Sequence, residues 1–99
     1  MNLNSKQRAY LKSLASTEDV CIHVGKSSIT PEVTNAIKEA LDKRELVKVG
    51  VLKNCADDPK DIAIIVSERT KSTVVQVIGK KIVSYKPKKE KPVIILPVD

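Results

Sequence analysis

Phenylalanine and tryptophan are absent from the sequence, and Tyr10 and Tyr85 are its only aromatic rings apart from one histidine. Domains that read single strands by stacking bases on a sheet present several exposed rings, so a multi-ring platform is excluded. Two cysteines, Cys21 and Cys55, are too few for a disulfide framework. With His23 as the single histidine they also make a poor zinc set, because a structural site wants four ligands in close pairs. No apolar run is long enough to span a bilayer, and the first residues lack the apolar core of a signal peptide. These absences lead us to expect a cytoplasmic protein with no membrane partner, no metal and no cofactor.

What is present is charge. Lys and Arg number 18 against 12 Asp and Glu, for a net charge of +6, within a composition that is 41% hydrophobic and 30% charged. Residues 1–30 carry four basic and two acidic side chains and residues 73–99 carry six and two, whereas the stretch between them is balanced. A positive surplus gathered at the two ends favours a polyanionic partner. At 99 residues the chain forms one domain with a modest core and little room for a deep catalytic cleft.

Periodicity supplies the elements. Asn4 with Gln7 three residues later reads as a capping box, and Leu3, Gln7, Tyr10, Leu11 and Leu14 then share one helical face. Lys6, Arg8 and Lys12 fall away from that face, into water. Val20–Val24 is β-branched and stopped by Gly25, a strand in which Cys21 and His23 point to one side, the thiol buried and the imidazole half exposed. Thr30-Pro31-Glu32 opens a second helix with a capping hydroxyl, a proline at the first position and an acid near the positive end of the dipole. Val33, Ala36, Ile37, Ala40 and Leu41 continue it. In 46–52, Val47, Val49 and Val51 alternate as in a strand. Asp58-Pro59 looks like another helix start, but "IAIIV" is β-rich, and periodicity leaves helix and strand open through Lys71. A hairpin turning at Gly79-Lys80 follows, and then a lysine- and proline-rich tail, loose or laid along a sheet edge.

The stretch "HVGKSSITPE" between the first strand and the second helix carries the functional question. It ends like a nucleotide-binding P-loop, but the glycine required five residues before Gly25 is Val20, so a triphosphate could not be wrapped. Plain turn chemistry would also produce it. A short loop of small residues entering a helix N-terminus exposes backbone amides to anionic oxygens, with Lys26 as a direct phosphate partner, in the manner of the GxxG loop of KH domains.

"GKSSIT" after a strand, "ELVKVGV" after the second helix, "VVQVIGKKIVSYKP" near the end and "NSKQRAYLKSLA" near the start together resemble the CRM domain. More particularly they are similar to the single-domain bacterial YhbY-type RNA-binding proteins, from about Asn2 to Pro87. The resemblance implies an α/β (α+β) fold of order αβαβαββ with a four-stranded mixed sheet, similar to the C-terminal domain of bacterial translation initiation factor three. It implies a third helix over Asp58–Lys71, a CRM-type RNA-binding domain over 1–87 and a tail over 88–99. Its functional implication is binding of structured RNA, with bacterial members acting on precursors of the large ribosomal subunit.

Carried onto this chain, the RNA-binding set is Gly25, Lys26, Ser27 and Ser28, with Thr30 capping the helix behind them, and Lys6, Arg8 and Lys12 as a further phosphate-contacting face. Two positions depart from the family pattern. Ser28 stands where the second loop glycine is usual, and serine tolerates φ > 0 less well. Gly50 stands where a lysine is usual, which leaves Lys48 or Lys53 to carry that edge. Lys86, Lys88, Lys89 and Lys91 read as an electrostatic arm. No nucleophile–base pair with an orienting third group is indicated, so no enzyme activity is expected. The partner expected is ribosomal RNA or a pre-ribosomal particle, bound by a monomer. The competing reading is a protein-interaction or ribosome-associated module without direct RNA contact.

Overall fold

Three capping signals start three helices at the positions the side chains dictate. In the computed structural model, which describes residues 2–98, helix α1 spans Ser5–Ala15. Asn4 Oδ1 accepts from the Gln7 amide at 2.8 Å while Gln7 Oε1 accepts from the Asn4 amide at 3.2 Å, a closed capping box. Helix α2 spans Pro31–Arg44, with Thr30 Oγ1 accepting from the Val33 amide at 3.1 Å. Helix α3 spans Pro59–Thr70, with Asp58 Oδ1 accepting from the Lys60 amide at 2.9 Å. The β-rich "IAIIV" is therefore helical. Its Ile62, Ala63 and Val66 form a buried stripe, and the burial outweighs local propensity.

Strands β1 (Ile22–Val24), β2 (Leu46–Val51), β3 (Thr73–Ile78) and β4 (Lys81–Tyr85) form one sheet in the order β1-β2-β4-β3. β1 runs parallel to β2, and the other pairs are antiparallel. The fold is thus mixed α+β with element order αβαβαββ. Among the described residues no helix is long and apolar enough to cross a membrane.

The sheet divides the core in two. Val47, Val49 and Val51 face α2 and α3, where they join Val24, Ile37, Leu41, Ile62, Val66 and Ile82. The opposite face carries Leu46, Val75, Val83 and Tyr85 under Leu11 and Ala15 of α1. Leu11 is wholly buried, which stabilises the fold by roughly 1.5–3 kcal/mol for a side chain of this size. Tyr10, expected on the packed face, is instead exposed. Cys21 also departs from expectation. It precedes the strand and is exposed at the sheet edge beside α2, whereas His23 faces the α1 side. Outside the regular strand, the alternation that would have put both on one face does not apply.

Arg8 and Lys48, expected as free cations, are tied down by the fold. β3 is an edge strand with a bulge between Val74 and Gln76. Arg8 Nη1 donates to the Val74 and Val75 carbonyls at 2.9 and 2.6 Å, at that bulge. Lys48 Nζ donates to the carbonyls of Ala15 at 3.1 Å and Glu18 at 3.2 Å, a cation placed at the negative end of α1.

The tail is neither loose nor paired to an edge. Glu45, buried at the C-terminus of α2, accepts from the amides of Lys88 (2.7 Å), Val93 (2.7 Å) and Ile94 (2.8 Å), and its carbonyl accepts from Lys86. Ile94 and Leu96 pack onto the α1-side core, and Gln7 Nε2 donates to the Pro97 carbonyl at 3.1 Å. Of the four lysines read as an arm, Lys89 and Lys91 are exposed, while Lys86 and Lys88 are half buried.

Candidate nucleic-acid interface

Because β1 and β2 are parallel and pair Val24 with Val51, the segments that follow them leave the sheet at the same end. The Leu52 amide donates to the Val24 carbonyl at 2.8 Å and locks these exits together. The hairpin between β3 and β4 turns at this end too, for the Val51 amide donates to the Lys80 carbonyl at 2.7 Å. Lys26, Lys53 and Lys80 therefore crown one end of the molecule, each on a different connection and each exposed.

The loop itself is a tight turn. The Ser28 amide donates to the Gly25 carbonyl at 2.9 Å, which puts Lys26 and Ser27 at the tip. Their amides have no partner among the described residues, and two adjacent unpartnered N–H groups beside an ammonium can receive an anionic oxygen. The helix behind contributes less than expected. Pro31 has no N–H, the Val33 amide is taken by Thr30, and the Glu32 carboxylate stands in the first turn. Thr30 is thus committed to capping.

The glycine and serine of the loop exchange the roles expected of them. Gly25 does not adopt a positive φ, and a Cβ there would meet only Leu52 and Asn54 at ordinary contact distance. Ser28 has φ of 55°. The left-handed residue is thus Ser28, where the resemblance implies a glycine, and serine adopts that conformation at some cost. Ser28→Gly is accordingly expected to raise the unfolding free energy by about 0.5–1 kcal/mol, read as an upward shift of the thermal midpoint with the binding surface unaltered.

The other predicted residues divide. Lys12 is exposed on α1 and lines a groove between that helix and the sheet, together with Gln76 and Lys81. Lys6 lies in the first turn of α1, next to the Gln7 contact with the tail and away from the crown. Arg8 and Lys48 are engaged with backbone carbonyls, as described above. Lys80 and Lys81 carry little signal in the sequence, because polar residues are ordinary in a hairpin turn. Only the strand register brings them beside the loop.

Comparison with known proteins agrees with this architecture. Residues 3–86 match the family model described as the CRS1/YhbY (CRM) domain. A protein of Bacillus subtilis named "Probable RNA-binding protein YqeI" is 41% identical over 95 residues, covering 96% of this chain and 99% of that protein. A Haemophilus influenzae protein named "RNA-binding protein" is 33% identical over 88 residues, with 89% of each chain covered. The solution structure of the hypothetical protein SAV1595 from Staphylococcus aureus superposes with a TM-score of 0.81 at 45% identity, covering 97% of this chain and all of that one.

Proposed function

The chain belongs to the CRS1/YhbY (CRM) domain family, and from that premise we propose that it binds structured RNA at the crowned end of its sheet. The observation that carries this reading is the turn Gly25–Ser28, whose tip offers two unpartnered amides beside Lys26, with Lys53 and Lys80 on the adjoining connections. Amides and ammonium groups so arranged hold phosphate oxygens, and contacts of that kind register an RNA by its backbone and shape.

The RNA we propose is ribosomal, bound during maturation of the large subunit by a cytoplasmic monomer. The test is a titration of a protein-free large-subunit ribosomal RNA fragment at several salt concentrations. Affinity is expected to fall linearly with salt on logarithmic axes, and Lys26→Gln to reduce that slope by about one. Binding that ignores salt, or that occurs only on assembled particles, would point to a protein partner and end this reading.

A further inference from the structure

α1 and the tail, through Leu11, Ala15, Ile94 and Leu96, cover part of one side of the sheet. Beyond Leu11 and Ala15 the face lies open, and two adjoining grooves, about 450 and 440 Å³ in volume, run across it. They share Ile78 and Lys81 as lining residues, so they form one trough reaching from Lys12 on α1 to Lys80 at the crown. Its size is that of a ligand cleft, roughly 300–1,000 Å³.

The trough has a particular chemistry. Its floor is apolar at the crown end, where the lack of a side chain at Gly50 lets Val20 and His23 pack down onto the strand. A Cβ there would come within 3.0 Å of Val20 Cγ1 and 3.3 Å of His23 Cδ2. The exposed His23 imidazole thus lies over Gly50, and Ile78 lines the same groove with 57% of its surface exposed. Lys12, Lys80 and Lys81 supply cations along the length, and no Asp or Glu lines either groove. A flat apolar slot with one ring, bordered by ammonium groups and free of acids, complements a group with a planar face and an attached anion.

We propose that this trough holds one unpaired nucleotide of the bound RNA, the base between His23 and Ile78 and its phosphate on Lys81 or Lys80. The inference rests on the RNA-binding reading and deepens it. Lys80 belongs to both the crown and the trough, so one backbone can pass from Lys26 into the slot. A base locked in a duplex cannot enter, hence the occupant is a bulged or looped nucleotide. One ring suffices for one base, and the shortage of aromatics excludes only a platform of several.

The experiment uses two RNA hairpins that differ by one bulged 2-aminopurine. The wild-type protein is expected to bind the bulged hairpin roughly tenfold more tightly, in line with one base stacked on a side chain, and to quench its fluorescence. His23→Ala and Ile78→Ala, both at exposed positions, are each expected to lose that preference and the quenching while binding the plain hairpin like wild type. Lys26→Glu is expected to weaken both hairpins alike. Equal wild-type affinity for the two hairpins, or a preference that survives both substitutions, overturns the trough assignment and leaves the crown intact. Failure of the wild-type protein to bind either hairpin at low salt removes the RNA reading and the trough with it.

Discussion

Replacing Glu45 with alanine is expected to lower the unfolding free energy by about 3 kcal/mol and to release residues 88–97 from the domain. The carboxylate is the point where three tail amides converge, at 2.7–2.8 Å. Truncation leaves those donors without an acceptor and undermines the seating of Ile94 and Leu96 on the α1-side core. Glutamine keeps one acceptor oxygen but loses the charge, so Glu45→Gln should fall between the two. Chemical denaturation gives the stability, and amide exchange at Lys88, Val93 and Ile94 gives the release of the tail. A tail that stays protected in the alanine variant would mean that packing alone holds it.

The same carboxylate makes the tail acid-sensitive. Burial works to raise the Glu45 pKa, but the amides of Lys88, Ile94 and Val93 and the Lys88 charge together outweigh it and hold the value below the usual 4.5. A depressed folded-state pKa contributes stability that is present above 4.5 and lost as pH falls through the lower folded value. Exchange protection of the tail should therefore fade in acid below 4.5, and Glu45→Gln should abolish that dependence. Glu45 also has φ of 63°, a left-handed conformation in which glycine is the usual helix terminator. Retaining glutamate there costs on the order of 1 kcal/mol, and the three hydrogen bonds offset it.

Glu45 illustrates what local pattern could not convey. Caps announced α1 and α2 because each rests on residues within four positions of one another, whereas the cap and proline of α3 competed with its β-rich "IAIIV", and the helix there was implied by the family resemblance. The hairpin was equally legible, since Gly79 with φ of 57° is a local requirement. Glu45 reads as one more acid in a helical surface run, because its partners are 43 to 49 residues away and are backbone amides with no side-chain signature. The site was legible in the same measure. Lys26 and the loop stand out in the sequence, but which other cations join them depends on register. Parallel pairing of β1 with β2 brings Lys53 to the loop, and antiparallel pairing of β2 with β4 brings Lys80 and Lys81. The same geometry takes Arg8 and Lys48 away, because each donates to backbone carbonyls at a strand bulge or a helix end. Helical spacing puts Arg8 on the polar side of α1, but a long guanidinium side chain can still reach the neighbouring strand.

That division of the cations yields the second large effect. Lys26→Glu combined with Lys12→Glu is expected to weaken RNA binding by about 100-fold, or roughly 2.8 kcal/mol at 1.4 kcal/mol per tenfold. The unfolding free energy should change by less than about 0.5 kcal/mol, for both side chains are exposed and neither donates a hydrogen bond to the rest of the fold. The two lysines lie at opposite ends of the path formed by the crown, Lys80, Lys81 and the trough, so a single RNA touching both loses contacts at each end. Arg8→Met with Lys48→Met removes two positive charges and should do the reverse, costing about 1–2 kcal/mol of stability per site. RNA affinity at temperatures where that variant stays folded should change little. Equal losses of affinity in the two double variants would mean that net charge alone governs binding. An unaltered affinity in the Lys26, Lys12 variant would take the crown away as the RNA surface. The discriminating quantity is the ratio of binding loss to stability loss, which the geometry makes large for one pair and small for the other.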